Sequence, residues 1–204
     1  MSRIKNYVTE QFSHPKGFGG KIVTFIMNMM NKAMYRAVAD SIPDNGNILD
    51  LGFGNGYTLQ MLLKRSSASF FGIEISADMI KAATERNKKA IRDGRLRLTE
   101  GSAENITFVE DLDCIYTINT VYFWPDLNAG LRHIYSKLNE GGVFLNLFYT
   151  KDVIERLNYQ EYGYRAYEPE ELKKAAEAAG FAAEIIPIKK NRSYIVKAVK
   201  RTDV

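Results

Sequence analysis

The chain has 204 residues, 46% apolar and 25% charged, and 28 Lys and Arg against 24 Asp and Glu give a formal charge of +4. That size and balance fit one globular domain with a buried core. The small excess of base is scattered, with mild clusters at Lys88-Lys89 and Lys189-Lys190, which argues against a nucleic-acid groove.

No run reaches the roughly 18 apolar residues of a membrane span. The N-terminal MSRIKNYVTEQFSHPKG lacks the apolar centre of a secretory signal, and Cys114 has no second cysteine to pair with. A reducing, cytoplasmic setting is therefore expected.

In chain order, Ser13-His14-Pro15-Lys16-Gly17-Phe18-Gly19-Gly20 reads as a loop, flanked by Tyr7 and Phe12. Lys21 to Ile42 then reads as a helix, with Ile22, Ile26, Met29, Met30 and Ala33 near one face. This segment, residues 1–42, is expected to cap the ligand end of the domain. Met27-Asn28-Met29-Met30 would supply an adaptable apolar wall.

Short apolar runs at Asn47–Leu51, Ser69–Glu74, Leu96–Glu100, Asp113–Ile118 and Val143–Tyr149 alternate with helical segments at Thr58–Lys64, Ser76–Ile91 and Leu127–Leu138. Strands alternating with helices predict an α/β fold, a doubly wound, mostly parallel sheet covered on both faces. Ser76 is the expected cap of its helix, Gly141-Gly142 the stop before the fifth strand, and Glu168-Pro169-Glu170-Glu171 the start of a helix ending at Gly180. Ala182–Ile188 and Ser193–Lys200 then predict a terminal antiparallel hairpin.

The strongest chemical signal is Asp50-Leu51-Gly52-Phe53-Gly54-Asn55-Gly56, a strand end running into glycines at every second position and then a helix. Glycine lets backbone approach a ligand closely, and the helix start is expected to offer N–H groups to an anion. A dinucleotide fingerprint needs a third glycine where Tyr57 stands, and Gly56 falls one residue early. Glu74 closes the second strand and can accept both ribose hydroxyls, a feature that suits NAD and S-adenosylmethionine (SAM) alike. Gly101-Ser102-Ala103-Glu104 is a small-residue turn on which a flat base can lie.

With these motifs in this order, the sequence resembles the class I, seven-strand SAM-dependent methyltransferases over about residues 40–200. Asp50, Gly52, Phe53, Gly54 and Gly56 match that family's first motif. Glu74, with Ile75 beside it, matches the ribose acid, Ser102-Ala103 the adenine turn, Asn119 the position after strand four, and Leu138-Asn139-Glu140-Gly141-Gly142 the entry to strand five. The family often has Asp where Ser102 stands, and Glu104 is expected to share that contact. The resemblance implies strand order 3-2-1-4-5-7-6 with strand seven antiparallel, and SAM as cofactor.

Methyl transfer is an in-line displacement, so the protein chiefly aligns and desolvates its reactants. Asn119 is the expected residue at the reacting end and His14 the candidate base, while His133 is expected at the surface. Tyr122, Phe123 and Trp124 in Asn119–Asp126 (NTVYFWPD) are expected to wall the acceptor pocket. The long Thr150–Tyr167 connection is expected to act as a lid through Tyr162 and Tyr164. No metal cluster is expected. The reading is methyl transfer to a small organic acceptor. The alternatives are an RNA or protein methyltransferase, a nicotinamide oxidoreductase, or a non-catalytic SAM-binding protein.

Overall fold

The structure, a computed structural model, describes residues 31–108, 111–156 and 165–202. Tyr7, Phe12, His14, the Met27–Met30 stretch, Tyr159, Tyr162 and Tyr164 lie outside the described residues. The strands are β1 (Asn47–Leu51), β2 (Ser69–Glu74), β3 (Leu96–Glu100), β4 (Leu112–Ile118), β5 (Leu138–Tyr149), β6 (Phe181–Lys189) and β7 (Ser193–Lys200). The helical segments are α1 (residues 31–39), α2 (Tyr57–Leu62), α3 (Ala77–Arg92), α4 (Leu127–Lys137), α5 (Lys151–Arg156) and α6 (Pro169–Ala178).

The strands form one sheet in the order β3-β2-β1-β4-β5-β7-β6. The pairs from β3 through β5 are parallel, and β7 runs antiparallel to both β5 and β6. The fold class and strand order expected from the sequence are therefore present.

Side chains alternate between the two faces of each strand, and each face has its own core. Leu49, Phe71, Ile115 and Phe144 pack on one face against Leu131 and Ile134 of α4 and Leu172 and Ala176 of α6. Ile48, Phe70, Cys114 and Leu145 pack on the other against Met34 and Val38 of α1, Leu59 and Leu62 of α2, and Ala83 of α3. The central strands are mostly apolar because both their faces are covered, with Asp50, Thr117 and Asn146 as buried polar exceptions.

Capping follows the sequence signals. Ser76 Oγ accepts from Met79 N at the start of α3, and Asp126 Oδ1 from Ala129 N at the start of α4. The Glu171 carboxylate accepts from Glu168 N at the start of α6.

One boundary differs. Gly141-Gly142 does not end a helix: α4 stops at Lys137 and β5 is already under way at Leu138. The glycines lie within a bulge, where the β4–β5 register jumps from Leu112↔Leu138 to Cys114↔Val143 and Gly141 takes φ 73°. A Gly-Gly pair serves either purpose, because both need a backbone that β-carbon-bearing residues avoid.

Candidate active site

The parallel strands end at one edge, and an open cleft of about 650 Å³ lies there, within the roughly 300–1,000 Å³ range of small-molecule sites. It is lined by the glycine loop, the ends of β2 and β3, the segment after β4, Met79 of α3, and Asn31 and Tyr35 of α1.

The glycine loop is held by its own protein. Gly52 (φ 82°) donates to Ile73 O at 2.7 Å, and a side chain there would collide with the Thr120 methyl. Gly54 (φ 53°) donates to Glu74 Oε2 at 2.9 Å, while Glu74 Oε1 accepts from Ile75 N at 2.9 Å and Ser76 N at 3.1 Å. Glu74 thus braces the loop and the turn after β2 with the carboxylate assigned from sequence to a ribose. A carboxylate has about four acceptor sites, so one is left for a ligand.

Three amides of this segment are engaged within the protein, while Thr58 N and Leu59 N of α2 precede its first intrahelical bond, Gln60 N to Gly56 O. Gly54 N faces Glu74, Gly56 N donates to Phe53 O, and Tyr57 N donates to Asn55 Oδ1 at 3.1 Å. Gly56 itself does not line the cleft. At φ 71° it lets α3 pack closely: a β-carbon would press on Ala83 and Asn87, and Asn87 Nδ2 donates to Gly56 O at 3.1 Å.

Asp50 is buried beneath the loop and accepts from the Tyr116 hydroxyl at 2.6 Å. Burial pushes its carboxyl up to about 7; the Tyr116 hydrogen bond opposes this and the charge of Glu74 adds to it. At the far end, Ser102, Ala103 and Glu104 form the wall after β3, closed by Asn105 N donating to Ser102 O. Glu104 Oε1 is buried with no hydrogen-bond partner among the described residues, an acceptor suited to a ligand's amino group. His133 is not simply at the surface. Its Nε2 accepts from Ile106 N at 3.1 Å and ties this turn to α4.

Asn119 lines the cleft in the left-handed region, at φ 59°. Its Nδ2 donates to Asn31 Oδ1 at 3.0 Å, its Oδ1 lies 3.3 Å from the Tyr122 hydroxyl, and the Tyr149 hydroxyl donates to Asn31 Oδ1 at 3.2 Å. Burial pushes Tyr35, also in the lining, up to about 12, and its hydrogen bond with Asn31 opposes the shift.

Of the three aromatics after β4, Phe123 (50% exposed) and Trp124 (6%) line the cleft. Tyr122 differs from the expectation and does not. It is buried behind Asn119, accepting from Tyr149 N at 2.6 Å and reaching Tyr149 O at 3.0 Å. In the lid segment, α5 opens the connection and Lys151 N donates to Tyr167 O.

Sequence reasoning also passed over Asn31, Tyr35, Tyr57, Met79 and Thr120 as lining residues. The Asn31–Tyr35 spacing of one helical turn is a usable signal in retrospect, since it puts both on one face.

Residues 48–142 match the family described as "Methyltransferase domain". An uncharacterized methyltransferase YdaC of Bacillus subtilis (strain 168) is 30% identical over 59% of this chain and 67% of its own length. A malonyl-[acyl-carrier protein] O-methyltransferase of Priestia megaterium is 28% identical over 48% of this chain and 35% of its own. The solved structure of a geranyl diphosphate methyltransferase in complex with SAM superposes with a TM-score of 0.72 at 11% identity, over 94% of each chain, which speaks to the fold alone. The sheet order, the cleft and these matches define an enzyme of the methyl-transferring class. The chain belongs to the class I SAM-dependent methyltransferases.

Proposed function

We propose that the cleft binds SAM extended along the sheet edge and passes its methyl group to a small organic acceptor. The observation that carries this reading is the cleft's charge and donor pattern. Asp50, Glu74 and Glu104 line it, and no Lys, Arg or His side chain does so among the described residues. Two of the loop's amides, Gly54 N and Tyr57 N, are already engaged by Glu74 and Asn55. An acidic cleft of this kind suits a cationic sulfonium and ammonium ligand, not an anionic dinucleotide.

In this reading Ser102, Ala103 and Glu104 take the base, with the unpartnered Glu104 oxygen receiving its amino group. Glu74 and Ile75 hold the ribose. Asp50, Gly52, Phe53 and Gly54 hold the amino-acid end. When bound, the cofactor supplies the electrophilic methyl group. The chain's residues align the reactants: Asn119 stands at the reacting end, and Trp124 and Phe123 wall the acceptor side and exclude water. The burial of Cys114 as a free thiol supports a reducing, cytoplasmic setting. No helix among the described residues is long and apolar enough to cross a membrane. We read the chain as one domain, with His14 the candidate base and Tyr162 and Tyr164 the candidate lid residues.

Calorimetry with SAM, its demethylated product and NADH tests the cofactor. Binding of the first two and not NADH is expected, and the reverse pattern overturns the reading. A labelled-methyl screen of a metabolite extract then tests the acceptor. One observation favours a second acceptor class. The exposed Lys189-Lys190-Asn191-Arg192 turn reaches the same edge, where Thr150 N donates to Arg192 O at 3.0 Å. Labelled-methyl transfer to RNA that falls steeply with added salt would replace the small acceptor.

A further inference from the structure

Three hydroxyl and indole groups at the cleft form a chain with one possible direction. The Trp124 indole N–H donates to Thr120 Oγ1 at 3.2 Å. Thr120 Oγ1 and Thr117 Oγ1 are hydrogen-bonded to each other. Thr117 Oγ1 donates to the Leu51 carbonyl at 2.7 Å. An indole N–H only donates and a carbonyl only accepts, so the middle proton must belong to Thr120 and point at Thr117. The chain runs from Trp124, on the acceptor side, to Leu51, the residue before Gly52.

Thr120 makes a second contact with the loop through a different atom. Its methyl packs against Gly52 so closely that a β-carbon there would strike it. One side chain therefore touches both halves of the cleft, its hydroxyl holding the indole and its methyl backing the glycine turn. Trp124 in turn lies against Gly130, where an added β-carbon would meet its ring at 3.0 Å and the Ala103 methyl at 3.2 Å. The ring thus has little room on that side, and the Thr120 hydroxyl fixes its remaining freedom.

We propose that Thr120 is a positioning residue, setting the Trp124 wall of the acceptor pocket relative to the glycine loop of the cofactor site. This deepens the proposed function and rests on it for the identity of the ligand at the loop. It follows that filling the cofactor half is felt at Trp124 through Thr120.

Two variants separate the atoms. Thr120→Val keeps a methyl against Gly52 and removes the hydroxyl, and Thr120→Ser does the opposite. Trp124 is the single tryptophan, so the protein has one indole N–H resonance to follow. In the ligand-free protein its hydrogen exchange is expected to be slow in wild type and in Thr120→Ser. In Thr120→Val it is expected to be at least about tenfold faster, the scale of one lost buried hydrogen bond. For SAM affinity by calorimetry the order reverses, with Thr120→Ser weakened more than Thr120→Val.

A residue that merely fills space would move both readouts in the same order, and that result overturns the proposal. So does rapid indole exchange in the wild-type protein, a measurement that holds even if a variant fails to fold. Absence of SAM binding by a wild-type protein with a protected indole overturns the cofactor reading instead, so the two failures are distinct.

Discussion

Asp50 gives the residue scale its clearest pH dependence. Its carboxyl is pushed up to about 7 by burial, so between roughly pH 4 and 7 the folded protein holds a proton that the unfolded chain has released. The stability contributed by this group is present at the acid side of that window and lost as pH rises through it. Thermal melts of the ligand-free protein should therefore fall from about pH 5 to about pH 8, and Asp50→Asn should flatten that fall. A cation seated beside Asp50 reverses the preference. SAM binding near neutral pH is then expected to release part of a proton, read as a binding heat that varies with the ionisation enthalpy of the buffer. Equal heats in all buffers would remove Asp50 as the cation's partner. Asn119 offers a second residue-scale prediction. Alanine at φ 59° adds about 1–2 kcal/mol of backbone strain that glycine does not. Asn119→Ala is expected to melt below Asn119→Gly, while both lose most turnover. Unchanged turnover and unchanged SAM affinity in the glycine variant would take Asn119 out of the site. The sequence identified these two positions through the resemblance, but it did not show what they touch. Asn119 meets Asn31 across 88 positions of chain and Asp50 meets Tyr116 across 66, and no local pattern carries such pairs.

At the scale of elements, the sequence is most legible where one face or both must be buried. β1, β2, β3 and β7 fall on the expected residues because apolar runs bounded by turn residues have few other solutions. Helix caps are legible for the same reason, since an N-terminus needs an acceptor at a fixed offset. Gly141-Gly142 is the instructive exception, because glycine marks a backbone shape and not an element. Gly141→Ala is expected to lower the melting temperature by the equivalent of about 1 kcal/mol, with SAM affinity unchanged, because φ 73° in the β5 bulge strains a β-carbon. An unchanged melt would mean the bulge adjusts freely. The cleft-facing part of α1 was not legible. Its apolar stripe predicts a packed face, but Asn31 and Tyr35 gain their meaning from strand ends far along the chain. Tyr122 was misplaced by one step of geometry: a short 3₁₀ turn at Val121–Phe123 sends it inward and Phe123 outward.

For the whole molecule, the order of motifs was enough to predict the sheet, because parallel strands joined by helices permit few topologies. The cleft follows from that topology, since the glycine loop, Glu74, Ser102 and Asn119 all stand where strands end on one side. The same topology leaves two margins, β3 and β6. Pro187 lies within β6 and has no N–H to offer, and Glu184 and Lys189 place charge along that strand. On the other margin, β3 carries Arg97 and Glu100. An open margin is a template on which a neighbouring molecule can add a strand, and here proline and charge discourage it. Pro187→Val is expected to give concentration-dependent self-association, visible by sedimentation or light scattering, with SAM affinity unchanged. Monodisperse behaviour at high concentration would show that the charges suffice alone. The final strands thus govern how this protein behaves in a crowd of its own copies, a matter separate from the chemistry where β1 and β4 end.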